Sequence, residues 1–152
     1  MHKKQLYFLL VLIVAGVIIF FTQKYYQPKA YAEMRVTEIE LAGETINARM
    51  AETPADQERG LMGVASLDDD EGMIFTFPKP INTKFWNKGM LMPFDLVWVA
   101  NGRVLGIERN IPLPADVPKI YESPAHVNGV IELSAGWADR HGVRVGDLIS
   151  GL

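Results

Sequence analysis

Five residues of the 152-residue chain combine types able to do chemistry: Arg59, Trp86, Lys88, Asp95 and Glu132. Asp95 is followed by Leu96-Val97-Trp98-Val99, and Glu132 lies between Ile131 and Leu133. A carboxylate in such surroundings must find a partner or change its pKa. Arg59, before Gly60-Leu61-Met62-Gly63, and Lys88, in a glycine-bearing segment, are the natural cations. The expectation is that both carboxylates are buried and that at least one contacts Arg59 or Lys88. Such a group is either a structural ion network or a ligand site. Trp86 could stack on a sugar ring or another flat ligand. Trp98, inside its apolar run, reads as core, and Trp137 is open between the two roles.

Other chemistries find little support. Cysteine is absent, which excludes disulfides, thiolate catalysis and cysteine-ligated metals. The histidines, His2, His126 and His141, have no ligand spacing, so no metal site is expected. Asp68-Asp69-Asp70-Glu71 lacks the spacing of a calcium loop and reads as a solvated acidic turn. No serine sits in a G-x-S-x-G context, and Gly60-Leu61-Met62-Gly63 lacks the lysine–serine ending of a phosphate loop. No cofactor is implied. The first 32 residues hold four of the 15 basic residues and none of the 18 acidic ones, so the remainder is strongly acidic. That balance argues against nucleic-acid binding.

Short strands separated by glycine and proline turns must position the five residues. Arg35 to Leu41 and Thr45 to Ala51 alternate polar and apolar side chains, as a hairpin does. Thr53-Pro54-Ala55-Asp56 has the cap, the proline and the acidic residue of a helix start, and Gly60 or Gly63 can end that helix. Gly72 to Phe77 reads as a strand stopped by Pro78 and Pro80, and Thr83 to Trp86 as another. Phe94 to Ala100 reads as a strand buried on both faces, returning through Asn101-Gly102 into Arg103 to Arg109. Asn110 to Pro124 reads as a proline-rich loop, His126 to Ser134 as a strand, Ala135 to His141 as a short helix and Val143 to Ile149 as a last strand. The expected fold is mainly β, a compact barrel-like or sandwich domain of seven or eight strands with two short helices, preceded by one transmembrane helix.

That last expectation comes from Leu6 to Phe21, an unbroken apolar run behind Lys3 and Lys4, with Tyr25 and Tyr26 beyond it. A crossing needs roughly 17–25 residues, and tyrosine favours the interface. Residues 1–32 are expected to be a membrane anchor with its tether, and 33–152 a domain that folds alone. The alternative is a cleaved secretory signal ending at Ala30-Tyr31-Ala32. Both place the body outside the cytoplasm: single-pass on the cell membrane in the first case, secreted or periplasmic in the second.

The blocks Glu58-Arg59-Gly60-Leu61-Met62-Gly63, Asp70-Glu71-Gly72-Met73-Ile74-Phe75, Phe85-Trp86 with Lys88, Pro93 with Asp95, Ile131-Glu132-Leu133-Ser134-Ala135-Gly136 and Gly142-Val143-Arg144-Val145-Gly146-Asp147 occur in order. Together they resemble the domain of unknown function 192 family, over roughly Val36 to Ile149. The resemblance implies a compact β-rich, barrel-like domain, often behind an export or anchor segment, and no activity. One block departs: the family's Trp-Met-Lys-Asn-Thr is here Trp86-Asn87-Lys88-Gly89-Met90. The functional expectation is a membrane-tethered binding or accessory module for a small polar ligand or an envelope component. Two alternatives stay open. One is a hydrolase acting on envelope material through Asp95 and Glu132, and the other is a structural partner of a membrane complex.

Overall fold

Side-chain alternation produces the first hairpin. In the computed structural model, β1 (Val36–Leu41) and β2 (Glu44–Met50) pair antiparallel, with Ile39 opposite Ile46 and both buried. The structure describes residues 3–24 and 27–152, without the side chains of 3, 4, 6 and 20–24. The expected interfacial Tyr25 and Tyr26, and the flanking Lys3, Lys4 and Lys24 side chains, lie outside that description.

Beyond the hairpin the chain forms β3 (Glu71–Ile81), β4 (Lys84–Trp86), β5 (Phe94–Ala100), β6 (Arg103–Ile111), β7 (Ile120–Glu122), β8 (Val127–Ser134) and β9 (Ile149–Ser150). Seven strands make one sheet in the order β6-β5-β8-β3-β2-β1-β9, and β4 pairs with β7 separately. Neighbours run antiparallel except β2 and β3, which are parallel. The architecture is therefore mainly β, a half-barrel sheet with short helices, as the turn-rich sequence implies.

The expected boundaries are corrected at three places. β3 runs through Pro78 and Pro80, because β2 stops pairing at Ile74 and leaves those positions at an edge, where a missing N–H costs nothing. The proline-rich segment is not all loop: β7 forms within it and lies on β4, Tyr121 opposite Phe85. The last strand is only two residues long, because Gly146, at φ +98°, and the bond from the Arg144 amide to Asp147 Oδ2 at 2.7 Å turn the chain beforehand.

The helices follow their local signals. In α3 (Pro54–Arg59) the Thr53 hydroxyl accepts from the Asp56 amide, and the Asp56 carboxylate accepts in return from Thr53. α4 (Trp137–Arg140) follows β8. Asn101 and Gly102 both take positive φ, 52° and 69°, in the turn joining β5 and β6.

At the N-terminus, α1 (Lys3–Lys24) is a helix of 22 residues whose described apolar side chains, from Tyr7 to Ile19, are exposed. Among the described residues no helix is long and apolar enough to cross a membrane. The segment after α1 is held against the body. The Gln27 side chain donates to the Ser66 carbonyl at 2.7 Å. In α2 (Lys29–Ala32) Tyr31 is 1% exposed and belongs to the core. Arg49 lies over its ring at 4.5 Å and donates to its carbonyl at 3.1 Å.

The sheet carries a core on each face. One contains Tyr31, Leu61, Phe75, Phe94, Leu96 and Trp98; the other contains Ile46, Ile74, Val97, Leu133, Trp137 and Val143. Residues of β5 alternate between them, so the strand is buried on both faces.

Candidate functional site

On the first face, the end of α3 leans over β3, β8 and β4, and a cavity of about 300 Å³ opens between them. Its walls include Phe75 and Phe77, which share a face of β3 at two-residue spacing, and Phe85 and Trp86 of β4. Phe85 is fixed from two sides. Its ring meets Phe75 edge-on at 4.8 Å and Trp98 edge-on at 5.7 Å. Met62 and Met90 complete the apolar wall, with Gln57, Glu58, Arg59, Thr83 and Lys84 as its polar members.

Glu132 is the one carboxyl in this cavity that the fold buries, at 3% exposure. It is placed by the β8 register, opposite Met73 on β3 and Leu96 on β5, and so projects to the first face. The Leu61 amide donates to its Oε2 at 3.2 Å. Burial pushes its pKa up from 4.5 to about 8, against the opposing pull of that hydrogen bond. At neutral pH the cavity thus holds a mostly neutral acid that can donate a proton or lose one to a suitable ligand. Gly60 makes the close approach possible. Its φ is +50°, and a Cβ there would sit 3.1 Å from Glu132 Oε2.

The other expected site residues divide. Arg59 lines the cavity, half-buried, with Asp56 as its ion partner at 3.7 Å. Trp86 lines it and stays 40% exposed. Lys88 is exposed, its ammonium 5.6 Å from the Trp86 ring centre. Asp95 lies elsewhere. It is opposite Leu133 and faces the second core, where its carboxylate accepts from the amides of Asn110 at 2.7 Å, Gly136 at 3.1 Å and Ala138 at 2.9 Å. Both carboxylates are buried, as their apolar settings require. The expected ion pairs with Arg59 or Lys88 are not formed: backbone amides answer Asp95, and Glu132 meets its burial by holding its proton. The two residues also project to opposite faces of the sheet, so they cannot act together on one substrate.

Sequence reasoning did not single out several participants. Phe75, Phe77 and Phe85 carried a signal, aromatic residues alternating on short strands. Tyr31 carried none, since it lies in a segment that reads as a tether. Asn87, where the chain departs from the family pattern, is 2% exposed. It donates to the Pro112 carbonyl at 2.9 Å and accepts from the Lys119 amide at 2.8 Å, tying β4 to the proline-rich loop. Trp137 is core, its indole N–H donating to the Asp69 carbonyl at 2.7 Å. The acidic turn is braced by the body, Asp69 meeting Arg140 at 2.7 Å and His141 at 2.9 Å.

A half-barrel sheet with one aromatic-walled, acid-floored cavity defines a class of small pocket-bearing β domain. The family model for domain of unknown function 192, described as "Uncharacterized ACR", matches residues 36–151, and the chain belongs to that family. Comparison with curated proteins gives no match. Among solved structures, a protein of unknown function from Novosphingobium aromaticivorans is 26% identical, with a TM-score of 0.73, covering 85% of this chain and 96% of its own. A second, from Sinorhizobium meliloti and described as a "putative transcription regulator", is 29% identical, with a TM-score of 0.71, covering 78% of this chain and 95% of its own.

Proposed function

We propose that the protein is a membrane-tethered, extracytoplasmic module that binds a small ligand in the cavity floored by Glu132. The observation that carries this reading is one buried carboxyl aimed into an aromatic-walled space of ligand size. Burying a carboxyl with a single backbone donor is costly, and a ligand group that meets it would offset that cost. The apolar run 6–21 behind two lysines supports the anchor, with the body on the far side of the membrane. The docking of Gln27 and Tyr31 supports a short tether. Pro28 lies against Gly63, one residue from Met62 of the cavity wall, which supports an opening on the tether side of the domain. Hydrolysis by an acid–base pair is disfavoured because Asp95 and Glu132 lie on opposite faces. A structural partnership draws on the exposed Leu113 and Val117 of the proline-rich loop, and the cavity favours ligand binding over it. A fragment screen by two-dimensional NMR on the full chain in maltoside micelles tests the proposal. Hits should shift the Trp86 indole and Leu61 amide signals and lose affinity in Trp86→Ala. A screen without hits at those signals contradicts it.

A further inference from the structure

Four aromatic rings and a buried carboxyl converge on this cavity, and what they share is an affinity for positive charge. Phe75, Phe77, Phe85 and Trp86 line one confined space, and the face of an aromatic ring attracts a cation more strongly once it is desolvated. Glu132, at the floor, is the acid that such a cation would meet. An anionic ligand would find no attraction in the ring faces. A purely apolar one would leave Glu132 facing nothing.

The charges around the cavity agree. On its rim Arg59 has Asp56 at 3.7 Å, Lys84 has Glu122 at 2.7 Å, and Glu58 adds a further acid. Behind the floor, Arg49 of β2 is 3.8 Å from Glu71 of β3 and lies over the ring of Tyr31. Burial raises the Tyr31 phenol well above its ordinary range, so it stays neutral. Arg59, Lys84 and Arg49 thus each have an acid beside them. Lys88, outside the cavity, already lies over the Trp86 ring at 5.6 Å.

Resting on the ligand-binding reading above, we propose that the ligand is a compact organic ammonium group, held by the aromatic wall with Glu132 as its counter-ion. The same chemistry occurs in free quaternary amines and in the headgroups of choline lipids. Binding converts Glu132 from acid to carboxylate and releases its proton to solvent. Affinity therefore rises with pH, about tenfold per unit, and levels off above the free-state pKa of about 8.

The test is a titration of the full chain in maltoside micelles with choline, tetramethylammonium and 3,3-dimethylbutan-1-ol, the last being the uncharged isostere of choline. Short-chain phosphatidylcholine, as monomer, is titrated in parallel. Choline or tetramethylammonium should bind with the stated pH slope, the isostere at least tenfold more weakly. Glu132→Gln should abolish the pH slope, and Trp86→Ala, at an exposed position, should weaken binding without unfolding the chain. Binding of choline assigns a free amine, and binding of the phospholipid alone assigns a headgroup. Equal binding of the isostere, a pH-independent affinity, or no binding by any cationic probe overturns the ammonium assignment. The fragment screen separately decides whether the cavity binds ligands at all.

Discussion

The backbone amide of Leu61 donates to Glu132 Oε2 at 3.2 Å, joining residues 71 positions apart. This single hydrogen bond fastens the end of α3 to the centre of the sheet and closes one side of the cavity. It is also the one hydrogen-bond donor described at a carboxyl that burial otherwise keeps protonated.

Stability should accordingly depend on pH through Glu132. Its folded pKa, about 8, lies above the ordinary value of 4.5, so the folded state binds the extra proton. Stability is full below about pH 4.5 for this group, falls as pH rises, and reaches its lowest contribution above about 8. Glu132→Gln keeps the shape and removes the titration. Urea melts should show the variant close to the parent at pH 5 and more stable, by several kcal/mol, at pH 9. Equal pH profiles for the two would contradict the buried acid.

Gly60→Ala introduces a Cβ where φ is +50° and Glu132 Oε2 is 3.1 Å away. The change should cost about 1–3 kcal/mol in denaturant melts and shift the Leu61 amide resonance. Gly142→Ala, at φ +66° with open space around it, isolates the backbone part of that cost.

Asp95→Asn separates architecture from binding. The carboxylate accepts three backbone amides, and an amide side chain offers one oxygen and an unwelcome donor. A loss of about 2–4 kcal/mol is expected, with ligand affinity at the cavity unchanged in the folded fraction. A stable variant with impaired binding would return Asp95 to the site.

Tyr31 tests the role of the segment before the domain. Tyr31→Ala should cost roughly 3–5 kcal/mol, as loss of a large buried side chain does. Tyr31→Phe should be neutral or stabilising by up to about 1 kcal/mol, because its buried hydroxyl has no hydrogen-bond partner among the described residues. A chain starting at residue 33 should fold but melt well below one starting at residue 27. Equal stability of the two would show that Tyr31 contributes nothing.

Much of the fold is legible in the sequence because its signals are local. The Thr53–Asp56 capping box, the Asn101-Gly102 turn and the apolar run from Phe94 each act within a few residues. What escaped depends on distant pairing. Pro78 and Pro80 looked like a strand end because the edge that accommodates them is set by β2 stopping at Met50. β7 is three residues long and exists only against β4. The site shows the same division. Burial of Asp95 and Glu132 followed from their apolar neighbours, but their faces differ by one step of the pleat, and that step decides which one meets the cavity. Charge alone points to Arg59 and Lys88 as partners, whereas backbone amides supply the donors.

The most direct test of the account is a carboxyl-carbon NMR titration of Glu132 in the full chain, free and with saturating tetramethylammonium. The account predicts a free-state pKa of about 8 that drops when the ammonium ion binds. A free-state midpoint in the ordinary glutamate range, unmoved by ligand, would contradict it.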